Sequence, residues 1–432
     1  MMKAKSVLAI FLVFSLVIPA AVSAKELISY LPRLMNEHQL VRAAEALRNE
    51  ARYREDSAKG GWYPSLDLRA DGGREWVERV DQTESDELSN YETVRLTQLV
   101  TDFGATSSQV KMAGAMLSRS REELKTTQQT VLLQGITAYI EIFKAREKLR
   151  YALESEENIS RQTGMEEVLV ERGAGLSSDI LQTKSQLARA QALRVSIEGE
   201  LALAKNRFRA VYGFVPTDQE IKEFRLPAEP AQVQPVTLES ALSRAFENNP
   251  TIFAAQHNSA IVEQEIGVRK AQYFPRLNLY VEGIRREDDL GVEGTRLDSF
   301  VGAELTYNLF RGGADSSAVK AATEKHAAAQ GTLEDTRMLV EENVRNAWQN
   351  LMTSREKYRY LKNQAVIVEK FLELARKERK LGSRSLLDVL TGEVEYINAQ
   401  SQAVAAEVEI VLASFQLYYA MGDLVMDLVK TQ

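Results

Sequence analysis

Gly173-Ala174-Gly175-Leu176-Ser177-Ser178-Asp179-Ile180-Leu181 returns later in the chain as Gly382-Ser383-Arg384-Ser385-Leu386-Leu387-Asp388-Val389-Leu390, an offset of 382 − 173 = 209. The same offset carries Leu96-Thr97 onto Leu305-Thr306, Ser107-Ser108 onto Ser316-Ser317 and Ala190-Gln191 onto Ala399-Gln400. Further upstream, Tyr63-Pro64-Ser65-Leu66 reappears as Phe274-Pro275-Arg276-Leu277, spaced two residues wider, the kind of change a surface loop absorbs. One unit used twice predicts a pseudo-symmetric assembly, not a single site on a single scaffold.

Working outward from the two glycine runs, each closes a long tract without proline. Four of the nine prolines, Pro216, Pro227, Pro230 and Pro235, cluster in residues 215–236, which divides the chain into repeat 1 (25–214), a linker (215–236) and repeat 2 (237–432). Residues 66–215 and 276–432 hold no proline, so nothing there breaks an i to i−4 hydrogen-bond ladder. Val110, Leu117, Leu124, Val131, Ala138, Ala145, Ala152 and Ile159 recur every seven residues, and Val319 to Ala375 repeat that phase in the second copy. Seven-residue spacing is a coiled-coil seam, and its many alanines allow close approach of helices. The seam predicts helices over 105–172 and 314–381, about 100 Å long at 1.5 Å per residue. Gly173 and Gly382 read as C-caps. A Ser or Leu followed by Asp179 or Asp388 restarts a helix, which makes each run the tip of a helical hairpin. One helix is expected before each strand pair, at 26–60 and 237–271.

Two strand-like segments precede each long helix. Leu277, Leu279 and Val281 alternate with polar residues, as do Val301, Ala303, Leu305, Tyr307 and Leu309, while the first copy (Leu66, Leu68, Ala70; Val94, Leu96) is weaker. Strands of about ten residues with one apolar face suit a transmembrane barrel. They also suit an antiparallel sheet on a water-soluble core. The acidic segments 81–90 and 287–296 read as loops facing water. Trp62, Tyr63, Tyr273 and Phe274 fit an aromatic girdle at the rim, or packing between sheet and helix.

Residues 1–24 read as a secretory signal, with Lys3 and Lys5, an apolar run and Val22-Ser23-Ala24, although an uncleaved anchor has the same outline. Apart from that run, no stretch reaches the 18 or so apolar residues of a membrane helix, so entry into a bilayer would have to use strands. The chain has no cysteine, which excludes disulfides, thiolate metal sites and a lipid-acceptor thiol. With 61 acidic and 54 basic residues it is net acidic, which argues against a nucleic-acid partner. His38, His257 and His326 share no ligand spacing, and no nucleophile–base or paired-carboxylate constellation is present. The sequence therefore points to no enzyme, cofactor or metal.

Taken together and in order, twice, these fragments resemble the TolC-like outer-membrane efflux family. The carrying residues are Tyr63-Pro64-Ser65-Leu66, Phe274-Pro275-Arg276-Leu277, Leu305-Thr306-Tyr307-Asn308-Leu309-Phe310 before Arg311-Gly312-Gly313, Leu238-Glu239-Ser240-Ala241-Leu242 with Asn249-Pro250, and the second glycine run. The resemblance implies a mainly α fold with a small β part. Four strands per chain would join a trimeric twelve-stranded barrel in outer-membrane lipid, and the helical hairpins would form a periplasmic α-barrel. It also implies partners: two further copies, a periplasmic adaptor, and an inner-membrane ABC or proton-driven transporter. Function would be that of an outer-membrane exit duct for type I protein secretion or multidrug efflux. The rival class is a periplasmic coiled-coil structural or adaptor protein.

By that resemblance Asp388 stands at the pore constriction and Arg384 and Asp179 at a closing latch, while Thr391 stands where relatives often carry a second acid. Gly173, Ala174, Gly175, Leu176, Gly382, Ser383, Arg384 and Ser385 would meet the adaptor. From charge alone, Glu166, Glu167 and Glu171 on the first hairpin and Arg376, Lys377, Arg379 and Lys380 on the second form complementary stripes expected to attract across neighbouring hairpins. Helix-terminal capping and solvated helix surface are the plainer readings of the same residues.

Overall fold

The computed structural model describes residues 27–78, 80, 85–174, 176–230 and 235–430; the leader at 1–24 lies outside them. Repeat 1 is α1 (Leu27–Glu37), α2 (Gln39–Lys59), β1 (Ser65–Val77), β2 (Ser85–Thr101), α3 (Ala105–Glu171) and α4 (Ser177–Tyr212). After α5 (Asp218–Glu223), repeat 2 is α6 (Leu238–Asn248), α7 (Pro250–Ala271), β3 (Arg276–Glu287), β4 (Thr295–Thr306), α8 (Ala314–Lys380) and α9 (Leu386–Met421), followed by α10 (Asp427–Lys430).

α3 and α8 are each 67 residues long, about 100 Å. Both start behind a glycine in the left-handed region, Gly104 (φ +100°) and Gly313 (φ +81°), where the chain turns out of the sheet. The heptad positions form the packed face: Val131, Ala138, Ala152 and Ile159 of α3 are at most 1 % exposed. α4 and α9 return along α3 and α8 for about half their length, and α7 lies between α3 and α8.

The helices expected at 26–60 and 237–271 are each two, broken at equivalent places. His38 caps α2 by accepting the Leu40 N–H on Nδ1 at 3.2 Å. Asn249 caps α7 by accepting the Thr251 N–H on Oδ1 at 2.9 Å, with Pro250 in the first turn, where its missing N–H costs nothing. A histidine doing an asparagine's task is what hid the first break in the sequence.

The strands form one antiparallel sheet in the order β1-β2-β3-β4. They are longer than their alternation suggests. β2 begins at Ser85 and β3 runs to Glu287, so part of each expected acidic loop is strand; residues 81–84 lie outside the described ones. The described part of segment 215–236 is also more than a tether. Phe224 is 1 % exposed and stacks on Tyr139 with ring centroids 4.2 Å apart. Arg146 donates to the carbonyls of Ile221, Lys222 and Phe224 at 2.8–3.0 Å, tying the segment to α3. Tyr30, Phe208, Tyr212 and Phe214 complete an aromatic cluster there, midway along the helices.

Candidate functional site

Two places on this frame face the outside world: the sheet and the hairpin tips. In the sheet the register aligns Leu66, Leu96, Val281 and Val301 in one row, with Leu68 and Val94 beside them on the same face. The next row, on the opposite face, is Asp67, Arg95, Glu282 and Phe300. The apolar face is bare, with Leu66 69 % and Val301 84 % exposed, as a face turned to lipid would be. The polar face is laced with ion pairs, Arg95 with Glu304 and Arg286 with Asp298 at 2.5 Å. β1 and β4 are open edges among the described residues. Four strands cannot close a barrel, and open edges cannot persist in lipid, so other copies must complete the ring. Trp62, Tyr63, Tyr273 and Phe274 are all exposed where helix meets sheet; Phe274 stacks on Phe103 at 5.3 Å.

The two tips share one geometry. The Gly173 N–H reaches the Val170 carbonyl and the Ala174 N–H the Leu169 carbonyl, both at 2.9 Å; Gly382 and Ser383 repeat this against Arg379 and Glu378. Both glycines take positive φ (+73° and +76°), so each long helix ends in a Schellman turn. The restarts differ. Ser385 caps α9 through the Asp388 N–H at 3.2 Å, whereas Leu176 precedes α4 with no side-chain cap. Asp179 and Asp388 therefore sit inside the first turn and are not the caps. Gly175 lies outside the described residues; Ala174, Leu176, Gly382, Ser383 and Ser385 are all exposed at the tips.

Asp388 is exposed on α9, and Arg384 lies over it at 3.5 Å while binding Glu378 at 2.7 Å and covering the Phe371 ring at 4.8 Å. Arg384 and Asp179 are not brought together within the chain, and Asp179 has no ion pair among the described residues. Thr391 is exposed one turn beyond Asp388, and Glu395 is exposed one turn further on the same face. Position 391 carries no acid, and the next exposed acid along that face is Glu395.

The charge stripes resolve into distinct pairs. Glu166 on α3 meets Arg379 on α8 at 3.0 Å, joining the two hairpins, with the glutamate side chain only 8 % exposed. Glu167 pairs with Lys184 at 2.8 Å inside the first hairpin, and Arg376 with Glu393 at 2.5 Å inside the second. Lys377 reaches Glu373 on its own helix, at 3.4 Å. Glu171 and Lys380 have no ion pair among the described residues. Glu393, unnoticed in the sequence, is fully buried and its Oε2 has no hydrogen-bond partner. Burial pushes its carboxyl above the usual range, against the pull of Arg376.

The model of one protein family, "outer membrane efflux protein", matches residues 31–213 and again 241–423, the two halves of the internal repeat. The chain belongs to this family. It is 21 % identical over 335 residues to the outer membrane efflux protein BepC of Brucella suis, covering 77 % of this chain and 72 % of that one. It is 24 % identical over 376 residues to the alkaline protease secretion protein AprF of Pseudomonas aeruginosa, covering 84 % and 77 %. The crystal structure of the outer membrane protein VceC of Vibrio cholerae superposes with a TM-score of 0.77 at 18 % identity, covering 92 % of this chain and 96 % of that one. Membership places the sheet in the outer membrane and the helices in the periplasm. The protein is an outer-membrane exit duct of the TolC-like trimeric class.

Proposed function

We propose that the hairpin tips are the gate of this duct, closed at rest, and that they receive cargo from a periplasmic adaptor and an inner-membrane transporter. The observation that carries this reading is the Glu166–Arg379 bridge, which ties the two hairpins of a chain together near their tips. Asp388 and Glu395 project from the same face of α9. In a three-fold assembly they make two stacked acidic rings that favour cations at the narrow end, with Thr391 a neutral step between them. Exposed Gly173, Ala174, Leu176, Ser383 and Ser385 form the surface an adaptor meets. The duct itself does no chemical work: energy comes from the transporter, and opening separates hairpins.

Polypeptide or small-molecule cargo is decided by the transporter that feeds the tip. A relative named for alkaline protease secretion makes polypeptide export the first choice to test. The test places a cysteine at Ser383, unique in this cysteine-free chain, and attaches a photo-crosslinker in living cells. An adaptor encoded with an ATP-driven exporter supports polypeptide export. One belonging to a proton-driven pump supports small-molecule efflux. Capture of no periplasmic protein by a properly assembled trimer would refute the adaptor role.

A further inference from the structure

We propose that the inner wall of the duct carries a patch of uncharged amides that holds the backbone of an extended polypeptide in transit. The residues are Asn343, Asn346 and Asn350, midway along α8, and Gln416 near the end of α9. The proposal rests on the polypeptide reading above and deepens it, naming a part of the wall that the cargo touches.

Helix rotation sets which way these residues point. The described part of segment 215–236 covers one side of the helices: Arg355 and Ser414 bond Glu229 at 2.6 and 3.2 Å, and Tyr418 donates to the Pro230 carbonyl at 3.3 Å. Asn346 lies about two and a half turns before Arg355, hence on the far side of α8, with Asn343 and Asn350 flanking it. Gln416 stands two residues from both Ser414 and Tyr418, turned about 200° from each. It is the one exposed residue between Ile410 and Met421. A passage needs a side of the wall that no segment covers, and this is that side. The four amides wall a cleft of about 300 Å³ with Asn249 and Tyr419, between α8 and the junction of α7 with α9 in the same chain. They therefore do not lie on the flank of α8 that is left for other copies.

No residue walling this cleft is charged. The cleft of equal volume near the tips, by contrast, is walled by Glu166, Arg376, Arg379 and Glu393. Asn343, Asn346, Asn350 and Gln416 are exposed and make no side-chain hydrogen bond among the described residues. Asn249 and Tyr419 at the edge are held in place, Asn249 by donating to the Ala420 carbonyl at 2.8 Å and Tyr419 by Thr130 at 3.0 Å. Asparagine is a poor helix former, so three within eight residues weaken α8, and no packing of their exposed side chains offsets that. One repeat back the same positions hold Gln134, Thr137, Glu141 and Arg207, so the repeated architecture does not require amides there.

A side-chain amide offers an N–H donor and a carbonyl acceptor, the pair that a peptide unit also offers. Backbone amides are common to all polypeptides, so such a wall holds a chain whatever its sequence. Each bond replaces one to water and gains little, so the hold is brief and the chain moves on. A charged wall would instead retain cargo of opposite charge and repel the rest.

The test is the duration of current blockades in planar bilayers when an end-blocked Gly-Ser peptide, uncharged and unstructured, is added to the barrel side of the purified trimer. Blockades of the native duct are expected to shorten several-fold when Asn343→Leu, Asn346→Leu and Asn350→Leu are combined. They should persist when the same three become glutamine, which keeps the amide. Gln416→Leu alone should shorten them less, and it supplies the readout if the triple leucine variant does not assemble. Blockades of equal length in native and leucine ducts would overturn the proposal. Equally long, leucine-sensitive blockades by maltoheptaose would overturn the peptide assignment in favour of a saccharide site. The crosslink at Ser383 tests the cargo reading separately: capture of a proton-driven pump's adaptor would refute polypeptide cargo, while leucine-sensitive peptide blockades would still support the amide patch.

Discussion

α3 and α8 are one helix written twice, equal in length and phase, yet twenty residues of α3 are buried and only nine of α8. The difference lies in the neighbours. α3 runs through the middle of the protomer, walled by α2, α4, α7 and α9, whereas α8 packs mainly on α7, α9 and the short α6 and meets α3 at the Glu166–Arg379 bridge. α2 is also bare, with Leu40, Leu47 and Tyr53 more than half exposed. The comparison teaches that the first repeat's long helix is finished by its own chain, while the second's keeps an open face that a trimer leaves for other copies to cover. Folding of the protomer and assembly of the ring therefore draw on different copies of the same element.

Exchanging residues between the copies is the harshest way to break that comparison. Gly135 in α3 is Val344 in α8. A β-carbon at 135 would lie 2.4 Å from Leu34 Cδ2 and 3.0 Å from Tyr212 Oη. Gly135→Val should cost about 3 kcal/mol or more, enough to lose most folded protein in a thermal melt followed by circular dichroism. Val344→Ala, at a fully buried position, should cost about 2 kcal/mol in the same melt.

Ile367→Glu with Leu374→Glu sharpens it further. On the exposed stripe these should move protomer stability by no more than about 0.5 kcal/mol while abolishing the trimer band on an unheated gel. Loss of protomer stability in step with the trimer would mean the stripe is covered from within.

The smallest effect concerns the two caps. His38 and Asn249 do the same task, but only the histidine titrates. Burial holds its pKa below the ordinary imidazole value, so the native state prefers the neutral ring whose Nδ1 accepts from Leu40. That contribution is complete above the ordinary imidazole range and is lost as pH falls through the lowered native value. It should amount to about 1 kcal/mol. His38→Asn should flatten the pH dependence of the melt between neutral and mildly acidic conditions.

The large features of the fold were legible because they rest on periodicity and punctuation. The seven-residue seam, the absence of proline and the glycine caps place α3 and α8 to within a residue of their ends. The helix breaks at His38 and Asn249 were less legible, because one is capped by a residue type that rarely announces a cap. Strand lengths were underestimated at Asp86 and Glu287, where charged residues belong to strands rather than loops. At the tip, charge spacing identified Glu166 and Arg379 but could not say which partner each would meet. Pairing depends on helix rotation, which sequence spacing leaves free. Glu393 escaped notice because an isolated glutamate on a helix carries no signal of burial.

The most direct test of the account is the resting potassium conductance of the purified trimer in planar bilayers, measured for the native chain and for Arg379→Ala. The account expects small, cation-preferring steps from the native duct and a several-fold larger step once the bridge to Glu166 is cut. Steps of the same size from both proteins would contradict a gate held at the hairpin tips.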